Sequence, residues 1–335
     1  MSARVIARLT RRAALALPAA LAFAGRAVAQ PAVSDAAWPS RPIRLIVPFG
    51  AGSGSDVIAR IVGQKLSERL GQPIIIENKP GGSTVLGTEL AARAKPDGYT
   101  LELANTTSHA ITAAIGIKLA FDPVKDFAPV GMLAYSPFVL LVTPGLEAHS
   151  VKDLIALAKA KPGALTFASA GVGTMAHLAG ALFTTTARVE ISHVPYRGTE
   201  QSMIDLMQGR IDILFGTIAP SLPLVNSGKL RALATTGPTR NAMLPDLPTL
   251  AEAGLTGYEA GLWTGLVFPA GVPPAIVQRL NTQANAVMRD PDVVALLAKQ
   301  GVEVDTGTPE AFAARIKGDL AKWREVVAKA GIKPQ

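Results

Sequence analysis

From Pro39 onward, short apolar runs alternate with stretches in which apolar residues return every three or four positions. The first pattern is that of buried strands and the second that of amphipathic helices. It predicts strands over 44–47, 74–77, 100–103, 138–142, 165–168, 193–194, 211–215, 230–235 and 262–268. Helices are expected over 56–70, 84–94, 151–160, 199–208, 274–290, 291–300 and 309–330, with one more after the second glycine-rich loop described below. Such alternation reads as an α/β fold with mostly parallel strands. Two long β-type segments, 138–142 and 262–268, flank the middle of the chain. The economical reading is two lobes, the second inserted into the first, with two mostly parallel sheets joined by two crossing strands. Lobe 1 would take 38–141 and 263–335, and lobe 2 would take 142–262. The proline-rich stretch 238–248 is expected to be a surface connection.

Two strand–loop–helix units stand out against this background. The first is RLIVPFGAGSGSDVIAR, from Arg44 to Arg60, with Gly at 50, 52 and 54. Ser53 and Asp56 have capping-box spacing before the helix. Such a unit aims backbone N–H groups at an anion from the positive end of a helix dipole. The second unit, LTFASAGVGTMAHLAGALF, places Ser169, Ala170, Gly171, Gly173 and Thr174 in the same relation to a strand end. Open sheets bind ligands outside the carboxyl ends of their strands, so the two loops should face each other across an interlobe cleft. Asn78 to Thr84 forms a third donor-rich turn, and Asn105-Thr106-Thr107-Ser108-His109 is a polar stretch after another strand.

Composition narrows the chemistry. Arg4, Arg8, Arg11 and Arg12 precede an apolar run ending near Gly25, and Ala27-Val28-Ala29 is a small-x-small cleavage pattern. Residues 1–29 therefore read as a signal peptide. Thr10-Arg11-Arg12 followed by Leu15 leaves open a twin-arginine route. Losing the five arginines of that segment lowers the net charge from +8 to +3, which removes the main argument for a nucleic-acid partner. There is no cysteine, hence no disulfide framework and no thiolate chemistry.

The familiar catalytic and nucleotide signatures fail on particular residues. Ser55 stands where a dinucleotide loop needs its third glycine, and no lysine occupies the position a phosphate-binding Walker loop requires. The nucleophile elbow G-x-S-x-G is absent, with Gly52 in the serine position. The four histidines, at 109, 149, 177 and 193, lack metal-ligand spacing, so no metal or cofactor is implied. His109 and His177 could line a cleft, whereas His149 and His193 read as structural. Asp212 could recognise a ligand amine or hydroxyl, or only satisfy the turn before its strand. Arg197 in Tyr196-Arg197-Gly198 could face a carboxylate.

In order along the chain, these segments resemble the substrate-binding receptors of tripartite tricarboxylate transporters, the Bug-type receptors. The resemblance runs from Trp38 to Lys333 through RPIRLIVPF, IIIENKPG, KPDGYTL, FDPVKDFAPV, FASAGVGTMAHLAG, VPYRGTEQSMIDLMQGRID, LPDLPTLAEAG and PAGVPPAIVQRLN. It implies a two-lobed periplasmic binding protein of type II-like fold that closes on a small carboxylate and delivers it to membrane permease subunits. Carried over by position, the expected contacts are Phe49, Gly50, Ser53, Gly54, Ser55 and Asp56 from lobe 1. From lobe 2 they are Ser169, Ala170, Gly171 and Thr174. Thr84, Thr107, His109, His177 and Asp212 complete the candidate set.

Departures from the family pattern bear on the ligand. Ser53 follows Gly52 where adjacent glycines are common, Gly81-Gly82-Ser83-Thr84 replaces a PGAGG-like turn, and Thr112-Ala113 replaces Asn-Pro. The resulting cleft is richer in hydroxyls. The expected ligand is a dicarboxylate, an aromatic acid or an amino acid. Two other readings stay open: a secreted hydrolase using a serine with His109 or His177, and a ligand-sensing module that signals to a membrane sensor.

Overall fold

The computed structural model describes residues 38–333; the signal-peptide expectation over 1–29 lies outside them. The chain opens with β1 (Ile43–Val47), α1 (Gly54–Leu70), β2 (Ile74–Asn78), α2 (Val85–Ala92) and β3 (Thr100–Asn105). A π-helical turn (Thr107–Ile111) and the short α3 (Thr112–Ala114) lead into the 16-residue β4 (Phe127–Val142). The middle section holds α4 (Val151–Ala160), β5 (Thr166–Ser169), α5 (Met175–Ala187), β6 (Ser192–Pro195), α6 (Thr199–Met207), β7 (Ile213–Thr217), α7 (Ile218–Asn226) and β8 (Arg231–Thr235). The chain returns through β9 (Gly261–Pro269), α8 (Pro274–Met288), α9 (Pro291–Ala298), β10 (Glu303–Val304) and α10 (Pro309–Lys329).

Each lobe carries a parallel core, β2-β1-β3 in one and β6-β5-β7 in the other. The strands that join them, β4 and β9, run antiparallel to these neighbours. Residues 127–137 of β4 pair with β9 in the first sheet, and residues 138–142 pair with β7 and β8 in the second. The return crossing lies between Ala260, whose N–H still bonds Thr236 O, and Gly261, which pairs with Pro137. Thr236 clasps both crossings, because its buried hydroxyl accepts from Phe138 N at 2.7 Å and also donates to Ala260 O.

Three differences from the sequence expectation concern prolines and one rare geometry. β4 begins at Phe127, eleven residues before the expected strand, since Pro129, Gly131 and Pro137 read as breakers. Register shifts at Pro129/Gly131 and Met132/Ala134 absorb them as bulges. α7 contains Pro220 and Pro223 and was hidden for the same reason. Its Pro220 sits in the first turn, where the missing N–H is needed by no bond. The turn at Thr107–Ile111 has π geometry, which apolar periodicity does not report.

Separate apolar cores hold the lobes, one around Trp38, Leu45 and Leu66, the other around Phe167, Phe183 and Phe215. The last helix, α10, ties them together. Phe312 and Ile316 pack with Trp263 on the first sheet, whereas Leu320 and Trp323 join the core beneath α5. Arg315 and Lys322 on this helix bond Glu259, the residue just before the return crossing, at 2.5 and 2.6 Å.

Candidate functional site

The first loop is shaped by one buried carboxylate. β1 ends at Pro48, the chain turns through Gly52 at φ +81°, and Ser53 caps α1 by accepting Asp56 N–H at 3.3 Å. The Asp56 side chain turns back and accepts from Gly52 N, Asn78 Nδ2 and Arg60 Nε, each at 2.9 Å. A reciprocal capping box would bond Ser53 N; here the bond falls one residue earlier, on Gly52. Burial acts to raise the Asp56 pKa, yet the donors from Arg60, Gly52 and Asn78 outweigh it and hold the group down at about 2. The N–H groups of Gly54 and Ser55 have no acceptor among the described residues and sit at the positive end of α1.

The second loop repeats this plan from the other lobe. Gly171 at φ +131° and Gly173 at φ +78° turn the chain after β5, and Thr174 caps α5 by accepting His177 N–H at 3.4 Å. The Thr174 hydroxyl donates to Gly171 O at 2.8 Å, closing the turn on itself. Ser169 Oγ lies 2.7 Å from His193 Nε2 and accepts Gly171 N–H at 3.1 Å. Gly173 N–H donates to His177 Nδ1 at 3.1 Å. The N–H groups of Met175 and Ala176 thus stand without an acceptor among the described residues, as those of Gly54 and Ser55 do.

Between the lobes lie two adjoining chambers, of about 390 and 520 Å³, that share Phe49, Thr107, Thr217 and Leu262 as lining. The first is faced by the start of α1 (Ser53, Gly54, Ser55) and, from lobe 2, by the start of α7 (Ile218, Ala219). The second is faced by Gly50 and Thr84 from lobe 1, and by Ala170, Gly173, Thr174 and Met175 from lobe 2. Thr84 stands at φ +80° with its buried hydroxyl unpartnered. Among the described residues, no Asp, Glu, Lys, Arg or His lines either chamber. An anion held here would be met by helix ends, N–H groups and hydroxyls such as those of Ser53, Thr84 and Thr107.

Of the candidate residues, Phe49, Gly50, Ser53, Gly54, Ser55, Thr84, Thr107, Ala170 and Thr174 line the chambers. Asp56, Ser169, Gly171 and His177 lie behind that lining and shape the loops. His109 is farther off, fully buried, with Nδ1 2.9 Å from Ser108 Oγ and an edge-on contact to Phe127. Burial drives its pKa down to about 3, and drives that of neighbouring Glu102 up to about 8, so both are neutral at pH 7. Asp212 precedes β7 at the amino end of that strand, away from Thr217 at the cleft, and accepts from Thr166 N and Oγ1 at 2.8 and 2.9 Å. It therefore ties the start of β7 to the start of β5, which is neither of the two roles weighed for it. Arg197 lines neither chamber.

Several lining residues were not anticipated. Thr217, Leu262, Ala219 and the Gln300–Val302 segment reach the cleft from elements whose placement depends on the crossing strands. Thr217, two residues past the expected strand 211–215, ends β7 at the side of the sheet where ligands of such folds bind. Ser169 and His193 have the spacing of a nucleophile and base, but the hydroxyl is buried, engaged with Gly171 and absent from the chamber lining. Among the described residues no group of three or more metal-ligating side chains converges, and no helix is long and apolar enough to cross a membrane.

Comparison with known proteins agrees with this architecture. Residues 58–332 match the family described as "Tripartite tricarboxylate transporter family receptor". Protein BugT of Bordetella pertussis is 34% identical over 310 residues, covering 91% of this chain and 94% of its own. A solved R. palustris protein with adipate is 36% identical, with TM-score 0.74 over 89% of this chain and 100% of that one. MatC from Rhodopseudomonas palustris, solved with bound malate, is 31% identical, with TM-score 0.70 over 87% of this chain and 100% of that one. Other solved structures similar to this chain are described as the periplasmic binding protein BugD and as a TctC solute binding protein. The chain belongs to the tripartite tricarboxylate transporter receptor family, the Bug-type periplasmic binding proteins.

Proposed function

We propose that this protein is exported by its first 29 residues, captures a small organic carboxylate between its lobes, and hands it to the integral-membrane subunits of a tripartite transporter. The observation that carries this reading is the pair of helix starts, α1 and α5, each offering two acceptor-free N–H groups to an uncharged cleft. Hydrogen bonds to a charged group contribute about 1.5–3 kcal/mol each, more than neutral ones, so a carboxylate is the favoured occupant. Two similar solved structures hold adipate and malate, which are carboxylates as well.

The lining also sorts the three candidate ligand classes. An amino acid would bring its ammonium into a cleft without an acidic side chain, and an unpaired buried charge costs several kcal/mol. A dicarboxylate can place one end in each chamber. An aromatic acid can lay its ring against Phe49, Leu262 and Ile115. Among the described residues no side-chain general base lines the chambers, which favours binding over turnover.

The transport cycle requires that closure be driven by contacts absent from the open form. In this reading lobe 1 takes the ligand first, and lobe 2 closes by bending at Pro137/Phe138 and Ala260/Gly261, four and two residues before the expected boundaries after 141 and 262. The second loop then supplies the closing contacts. Gly171→Val tests it, since φ +131° is a conformation side chains rarely adopt. We expect the variant to fold and to bind adipate at least about tenfold more weakly by calorimetric titration. Unchanged affinity would remove the second loop from the site.

A further inference from the structure

We propose that the stacked imidazoles of His177 and His193 are positioning residues that hold the second loop in its anion-binding shape, and that protonation of His177 unlocks it. The functional consequence rests on the carboxylate reading; the lock itself does not. His177 comes from the first turn of α5 and His193 from β6. Their ring centroids lie 3.8 Å apart with planes 13° from parallel, and Phe167 stacks on His193 at 4.8 Å. Each ring grips one end of the loop: His193 holds Ser169, and His177 holds Gly173. Ala170 and Val172, which line the second chamber, lie between the two grips.

The two grips respond differently to a proton. His177 Nδ1 accepts the N–H of Gly173, so the neutral ring must carry its proton on Nε2. A proton on Nδ1 would set two donors against each other and break that bond. At His193, a proton on Nε2 can still be donated to Ser169 Oγ, while the serine hydroxyl turns to Gly171 O at 3.0 Å. Two stacked cations would also repel. His177 is therefore the sensitive member of the pair.

The titratable group facing each ring is the other imidazole, and no Asp or Glu among the described residues lies within ion-pair distance of either. Tyr196 and Asp205, near the cleft end of β6 and on α6, are bonded to each other at 2.8 Å. Asp212, before β7, is engaged by Thr166. Burial, with the second imidazole as an added influence on His177, holds both pKa values down at about 4. The lock is closed at neutral pH and opens under acid.

Two measurements decide the matter. Imidazole and amide nitrogen spectra of the ligand-free protein should show the Nε2–H tautomer of His177 at pH 7, with the Gly173 amide shift following His177 as it titrates. Calorimetric titrations with adipate from pH 7.5 to 3.5, below the His177 pKa, should then compare the parent protein with His177→Leu, which has no acceptor, and His177→Asn, whose Oδ1 takes the place of Nδ1. We expect His177→Leu to weaken binding about tenfold or more at pH 7.5, the scale of one lost hydrogen bond. His177→Asn should recover most of that loss and fall less steeply than the parent under acid, adipate's own protonation being common to both. A Gly173 amide indifferent to His177, equal affinity of His177→Leu, or identical acid slopes of parent and His177→Asn would each overturn the lock. Should the parent fail to bind adipate, the choice of ligand fails, and the spectra still decide the lock.

Discussion

Replacing Asp56 by alanine is expected to destabilise the fold by about 3 kcal/mol and to weaken carboxylate binding at least about tenfold. The carboxylate is 2% exposed and gathers Gly52 N, Asn78 Nδ2 and Arg60 Nε. Without it, Gly52 N–H, on an exposed turn, falls to water, and half-buried Asn78 Nδ2 keeps only Phe49 O. The loss is that of hydrogen bonds to a charged group, about 1.5–3 kcal/mol each. The ion pair adds little, because the Arg60 side chain is 55% exposed and screened by water. The binding loss follows from geometry: Gly52 is released, and the N–H groups of Gly54 and Ser55 are no longer aimed together. Asp56→Asn should fall between parent and alanine, since an amide presents one acceptor where two oxygens now serve three donors. The pH dependence has a definite sign. The folded pKa, about 2, lies below the unfolded value of about 3.9, so this stabilisation is present above the unfolded value and is lost as pH falls toward 2. Urea unfolding of parent and variants at pH 7 and pH 3 checks both statements, with the difference between them shrinking at pH 3.

Gly180→Val should be comparably severe for a steric reason. Gly180 lies on the face of α5 that meets β5, and a Cβ there would stand 2.5 Å from Phe167 Cδ2 and 2.8 Å from its Cζ. Real carbon contacts need about 3.5–4.0 Å, so the helix or the ring must move. Overpacking of this kind costs about 1–3 kcal/mol, and the branched side chain puts Val at the upper end. Because Phe167 stacks on His193, displacement of the ring also reaches the second loop. The variant should lower the urea midpoint and bind adipate more weakly, and adding Phe167→Ala should return part of the stability as a positive coupling. A Gly180→Val protein as stable as the parent would show that α5 packs differently from the arrangement described.

Local chemistry explains which parts of this molecule could be read from the chain. The cap at Ser53 depends on Asp56 three positions away, so spacing identified that helix start. The start of α5 was legible only as a second glycine-rich loop like the first, and its Thr174 cap came from the structure. The parallel strands were legible because each is a short apolar run between polar turns. β4 was not, because Pro129, Gly131 and Pro137 mark breaks in any sequence pattern, and only pairing with β9 shows them to be bulges and a sheet boundary. Side-chain roles that depend on the far side of the fold were equally hidden. His109 follows a strand end, as a cleft residue would, yet the π-helical turn carries it into the core. His193 gave no signal of its own, because its partners Ser169 and His177 arrive from β5 and α5.

The central claim is that two helix starts and an uncharged lining select a carboxylate. Titration of the protein with adipate and with adipamide, its neutral diamide of nearly the same shape, tests that most directly. Adipate should bind saturably, with adipamide at least about a hundredfold weaker, or about 2.7 kcal/mol. Equal affinity for the two, or binding of adipamide alone, would contradict it.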